Sequence, residues 1–256
     1  MNAHARMNAH LASPLLDSFA FSRDGFLLLR GCLPTEVVDR HLATVAAQRL
    51  RSEYAAATPW PAHPAVRRLR HTHAFRASGG LDLALHERLL ASLNILAGES
   101  CFLLDIGTPD DEQVLCACNA SIGPSPHLGA WIALRDIPLE AGLRVWPGSH
   151  ARTRECLRRL LASEPGLASR IQRMREDGVS LQQWFGLEAQ LLQVLRERSA
   201  QGDTGMRVLA LRKGDVLVQQ QGLVVTAKRL DSHACLVARF GADQLHRNHY
   251  FADAAF

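Results

Sequence analysis

LGAWIALRDIPLEAGLRVWPGSH, residues Leu128 to His150, decides how this chain is read. Its opening run, Leu128–Leu134, is apolar and rich in large side chains, the pattern of a strand buried on both faces. Arg135, Asp136 and Pro138 end that run, and Ala141-Gly142 supplies a turn. Leu143–Trp146 predicts a second strand, closed by the Pro147-Gly148 corner. Two apolar runs around a glycine turn predict an antiparallel β-hairpin, the unit from which sandwiches and jelly rolls are built.

Working outward, Phe19–Leu33 (FAFSRDGFLLLRGCL) places an Asp24-Gly25 turn before a strand, Phe26–Leu29. Pro34-Thr35 starts a helix with Thr35 as N-cap, and Val37, Val38, His41, Leu42 and Val45 recur at helical spacing. Leu81–Ala97 predicts one amphipathic helix with Leu85, Leu89, Leu90 and Leu93 inward. Cys101–Cys118 reads as strand, turn, strand, and Asn119–Pro126 as a loop of small residues. Residues 151–200 change to helical periodicity, broken at Pro165-Gly166 and Gly178. This predicts a helical insert whose leucine stripe, Leu191 and Leu192 included, caps the barrel as a lid or forms a subunit interface. Strands resume at Met206–Leu211 and Asp215–Gln220 around the Arg212-Lys213-Gly214 turn, then at Leu223–Ala227 and Ala234–Phe240. The whole chain, 1–256, is expected to form one domain, with residues 1–17 as a flexible tail.

The bulk composition narrows the classes. At 256 residues and 47% hydrophobic, the chain can bury one large core. Its net charge of +4 comes from arginines interleaved with acids, not from a stripe with aromatic platforms, so nucleic acid is not an expected partner. No run approaches the roughly 20 apolar residues of a membrane span, and the first ten residues lack the apolar core of a signal peptide. Six cysteines without scaffold spacing fit free thiols in a reducing cytoplasm.

The hairpin carries a specific resemblance. Trp131, Ala133, Leu134, Asp136, Gly142, Leu143, Pro147, Gly148, Ser149 and His150 match the wording of the phytanoyl-CoA dioxygenase family. The "DGF…RG" segment at Asp24–Gly31 and the "KGDVLV" segment at Lys213–Val218 resemble the same family. The resemblance implies a mainly β fold with helices: a double-stranded β-helix, or jelly roll, with N-terminal helices and the helical insert. It also implies Fe(II) and 2-oxoglutarate as cofactors, the iron held by an H-x-D pair and a later histidine, and the co-substrate gripped by an arginine. His150 is implied to be structural.

At the positions that carry this chemistry the match fails. The H-x-D slot falls at Cys116-Ala117-Cys118, the later histidine at Val225, and the arginine at His233. The expectation is therefore a barrel that uses neither iron nor oxoglutarate, with no cofactor. It would be repurposed to bind a small molecule or to catalyse a non-oxidative reaction of isomerase, cyclase or lyase type. His127 and His233 are the candidate acid–base residues, since imidazole titrates near neutrality. Cys116, Cys118, Trp131, Gln219, Val225 and Arg239 are the candidate pocket lining.

Three alternatives stand beside this. Cys116 and Cys118, with His127 or His233, could form a zinc or copper site, although small buried cysteines packing inside the barrel is preferred. The chain could be an inactive subunit, in a homodimer or partnered with an active relative. It could also be a true oxygenase with non-standard ligands. The H-x-H at His71 and His73 and the tail histidines His246 and His249 read more simply as exposed polar segments.

Overall fold

The computed structural model describes residues 16–52, 79–107, 114–116, 127–166, 169, 205–227 and 234–241. Helix α1 (Ser18–Asp24) is capped by Asp17, whose carboxylate accepts from Ala20 N, and ends at Gly25 with φ 83°. Strand β1 (Phe26–Leu29) follows, then α2 (Thr35–Ser52), α3 (Gly80–Ala84) and α4 (Glu87–Ala97). The remaining elements are β2 (Phe102–Gly107), β3 (Val114–Cys116), β4 (His127–Ala133), β5 (Leu143–Val145), α5 (Ser149–Ser163), β6 (Arg207–Leu209), β7 (Val216–Gln220), β8 (Val224–Thr226) and β9 (Cys235–Gly241).

The strands form two antiparallel sheets, β1-β7-β4-β9-β2 and β3-β8-β5-β6. From β2 to β5 and from β6 to β9, strands that follow one another in sequence fall in alternate sheets, the alternation of a double-stranded β-helix. Period-two alternation sorts the larger sheet into two faces. Leu128, Ala130, Ile132, Val216, Val218, Leu236, Ala238 and Phe240 pack against Val38, Leu83, Leu89 and Leu93 of the helices. The intervening residues Trp131, Ala133, Leu217, Cys235 and Val237 pack against Leu143, Val145 and Val225 of the smaller sheet. The second cluster is the barrel interior.

The three resembling segments interlock. Asp215 lies 2% exposed and accepts from Gly31 N and Arg212 N, both at 2.8 Å, and from Arg30 Nη1 at 2.6 Å. Gly214 has φ +85°, and a side chain there would collide with the Leu33 carbonyl. Ser149 Oγ accepts from Val224 N at 2.8 Å. His150, 1% exposed, meets the Ser22 carbonyl through Nε2 at 3.1 Å while its ring presses on Gly25. These residues fasten strand ends and turns, so their part is architectural.

Two expectations need correction. Leu128–Leu134 and Leu143–Trp146 are not a hairpin: β4 pairs with β7 and β9, whereas β5 pairs with β6 and β8. The connection changes sheets. Ile137 bridges Leu211, Asp136 accepts from Lys213 N, and a 3₁₀ turn at Leu139–Ala141 redirects the chain. The helix expected over Leu81–Ala97 is two helices, because the His86 side chain caps a new start at Glu87. Leu85 falls in the break and is 45% exposed instead of inward.

The strand at Phe26–Leu29 and a helix beginning at Thr35 are found as expected. The helical insert is seen only in its first part, as α5, with His150 in its first turn. Among the described residues no helix is long and apolar enough to cross a membrane.

Candidate functional site in the barrel interior

Two rows of residues cross the inner face of the larger sheet. In the first, Leu28, Leu217, Trp131 and Val237 stand side by side on β1, β7, β4 and β9. The next row holds Phe26, Gln219, Gly129 and Arg239, with Asp105 of β2 as the far register partner of Arg239. The first row is hydrocarbon and indole. The second carries the polar groups.

Gln219 is 1% exposed, and its Oε1 accepts from Trp131 Nε1 at 2.9 Å. The amide is thus led over Gly129: a Cβ built on Gly129 would stand 2.9 Å from Gln219 Cγ and 3.0 Å from Nε2. Glycine at 129 is what lets the glutamine lie across β4. Arg239, half-buried, occupies the neighbouring position on β9. Trp131 is wholly buried, and a buried indole N–H without a partner would cost about 1–3 kcal/mol, so its bond to Gln219 matters to both residues.

On the facing sheet, Val225 is wholly buried, register partner of Val145 on one side and Leu115 on the other. Cys116 ends β3 across from Val224, one position out of step with Val225. His127 opens β4 across from Gly241, whereas the chain enters β9 at Cys235, across from Ala133 at the other end of the same ladder. Cys118 and His233 lie outside the described residues, as do His71, His73, His246 and His249. The structure therefore brings Trp131, Gln219 and Arg239 onto adjoining positions of one face, with Val225 opposite.

Sequence reading had named Trp131 and Gln219 separately but not their hydrogen bond. The signal was present: a glutamine directly after Val218 at the centre of β7, facing a strand that holds both a tryptophan and a glycine. The buried thiols are inert in this setting. Burial pushes Cys32 up to about 11 and raises Cys235 further.

An Fe(II) facial triad takes two imidazoles and one carboxylate, and the resemblance places the later imidazole at Val225, on β8. Val225 offers hydrocarbon there, packed in the core, and no lone pair. At this position the residue present does not fit the group; Cys118 and His233 lie outside the described residues.

The profile of the phytanoyl-CoA dioxygenase (PhyH) family matches residues 21–232. No curated protein matches the sequence. Among solved structures, the chain is similar to SnoN, a non-heme α-ketoglutarate-dependent epimerase from nogalamycin biosynthesis, at 16% identity and TM-score 0.48, covering 87% of this chain and 80% of that one. HygX from Streptomyces hygroscopicus, solved with nickel and 2-oxoglutarate, shows 18% identity and TM-score 0.43 over 87% and 84% of the two chains. SnoK, a non-heme α-ketoglutarate-dependent carbocyclase from the same nogalamycin pathway as SnoN, shows 19% identity and TM-score 0.45 over 90% and 84%.

Proposed function

This chain belongs to the phytanoyl-CoA dioxygenase family, and on that premise we propose that its barrel has given up Fe(II) and 2-oxoglutarate to act on a small organic molecule without a metal. Its role is either that of a binding protein or that of a non-oxidative enzyme of isomerase, cyclase or lyase type. The observation that carries this reading is Val225, a wholly buried hydrocarbon on β8 where the family resemblance calls for an iron-binding imidazole. Restoring a ligand there would require opening a packed core, not merely turning a side chain.

The sequence supports the same reading at the co-substrate end. His233 stands where the resemblance calls for an arginine. A neutral imidazole has one N–H donor against five in a fixed fork, and losing a charge-assisted pair of that kind costs on the order of 2–5 kcal/mol. His127 and His233 remain the acid–base candidates.

The test is anaerobic loading of the purified protein with Fe(II), followed by iron analysis and measurement of oxoglutarate-dependent succinate formation. The expected result is sub-stoichiometric iron and no succinate. Stoichiometric iron with turnover would overturn the proposal.

A further inference from the structure

We propose that His150 is a proton-operated latch: its neutral ring holds the end of α1 against the start of α5, and protonation releases that end while the barrel stays folded. The device belongs to the frame around the barrel and is independent of what the barrel binds.

Helix α1 ends on carbonyls that other elements take up. Phe21 O accepts from Gln220 Nε2 at 2.9 Å, and Asp24 O accepts from Gly148 N at 2.8 Å. Ser22 O meets His150 Nε2 at 3.1 Å. Of these three donors only the imidazole titrates. A carbonyl can only accept, so Nε2 carries the ring proton and Nδ1 of the neutral ring is bare. His150 is 1% exposed, and its Nδ1 has no hydrogen-bond partner. That nitrogen faces Gly25. A Cβ on residue 25 would collide with it, so in the glycine a Cα hydrogen points at the nitrogen instead. A lone pair suits that contact and an N–H does not.

The imidazolium donates from both nitrogens. Protonation therefore sets an N–H and a charge against a carbon-bound hydrogen, where water does not reach. The charged neighbours give little relief. From α1, Asp24 attracts the charged ring, but its two oxygens are taken by Arg23 at 2.7 and 2.8 Å, with Arg207 of β6 3.8 Å away. Arg154, on α5 itself, repels the charged ring. The turn at Gln220–Leu223, which packs on the same stretch through Gly222, carries no ionisable group. Burial and then Arg154 hold the ring below its ordinary 6.5, outweighing the Ser22 bond and Asp24. A protonated ring is relieved by turning out from under Gly25. That movement breaks its bond to Ser22 and frees the end of α1.

The experiment is hydrogen–deuterium exchange of the full chain, followed by mass spectrometry between about pH 7.5 and 5.5 and corrected for the intrinsic pH dependence of exchange. A peptide spanning α1 and Gly25 is compared with one spanning β4. If the open form takes up a proton at the ordinary 6.5 and the latched form resists it, the open fraction grows by up to about tenfold over that range. Protection of the α1 peptide is expected to fall at least about threefold while that of β4 holds. His150→Gln, whose amide reaches for the same carbonyl without titrating, should show no such fall. Should that variant not fold, nitrogen NMR of the parent's imidazole takes its place. The Nε2–H tautomer is expected near pH 7.5, with the ring gaining its proton as α1 loses protection. An α1 peptide that keeps its protection, a loss shared equally by β4, a His150→Gln response equal to the parent's, or an Nδ1–H tautomer would overturn the proposal.

Discussion

Replacing Asp215 offers a demanding check on how the resembling segments hold the barrel together. Its carboxylate is 2% exposed, and its two oxygens divide three donors unequally. Oδ1 takes Gly31 N, while Oδ2 takes Arg212 N and Arg30 Nη1. Asp215→Ala removes every acceptor and leaves the part-buried N–H groups of Gly31 and Arg212 without their partner, each worth about 1–3 kcal/mol, so a loss of about 2–5 kcal/mol is expected. Asp215→Asn can turn its amide so that only the Gly31 side is lost, and should cost about 1–3 kcal/mol. Arg30→Ala should cost under about 1 kcal/mol, because the arginine side chain is 58% exposed and water replaces much of what it gives. Urea unfolding followed by far-UV circular dichroism, with a constant m-value as the check on two-state behaviour, measures all three. If Asp215→Ala lost less than about 1 kcal/mol, or Arg30→Ala matched it, the account of this carboxylate as a buried clasp would be wrong.

Other perturbations address other parts of the molecule. Trp131→Phe strips Gln219 Oε1 of its donor and opens a void, so stability should fall by about 2–4 kcal/mol in the same urea assay; a change under about 0.5 kcal/mol would contradict the pairing. Burial, followed by the charge of Arg154, holds the His150 imidazole below its ordinary value of 6.5. Below that pH the unfolded chain takes up a proton that the folded chain resists, so stability should decline as pH falls, with no contribution from this group above it. Urea midpoints between about pH 5 and 8 should therefore fall less steeply for His150→Gln than for the parent; equal slopes would refute the assignment. Cys32 and Cys235 should resist an aromatic disulfide reagent at about pH 8 in the native protein and react in urea, as mass spectrometry of labelled peptides would record.

Much of the fold was legible because strand-forming runs and their punctuation are local. Val216–Gln220 and Cys235–Gly241 announce themselves by valine, leucine and phenylalanine content, and α4 by Leu89 and Leu93 one turn apart. The pairing of strands was less legible, because register depends on residues far away in the chain. Leu128–Leu134 and Leu143–Trp146 looked like a hairpin since a glycine lies between them. The decisive facts are instead the bridge from Ile137 to Leu211 and the bond from Asp136 to Lys213 N, both long-range.

The candidate site divides in the same way. That residue 225 is not a histidine could be read from one letter, but that it is wholly buried, register partner of both Val145 and Leu115, could not. The use of Gly129 was hidden for a related reason. An absent side chain leaves no periodic trace, and only the glutamine laid across it reveals what the glycine is for.

The first strand of the chain bears on how the protein is made. β1 finds its sheet partner in β7, so that Phe26 pairs with Gln219 and Leu29 with Val216. A chain leaving the ribosome from its amino terminus must keep an apolar strand unpaired until most of the sequence has been synthesised. Such distant pairing slows folding and leaves an open strand edge exposed to neighbouring chains. Gene fragments that stop before Val216 are therefore expected to accumulate as aggregates. Growth at low temperature or with added chaperones should raise the yield of the intact protein more than any change to its surface.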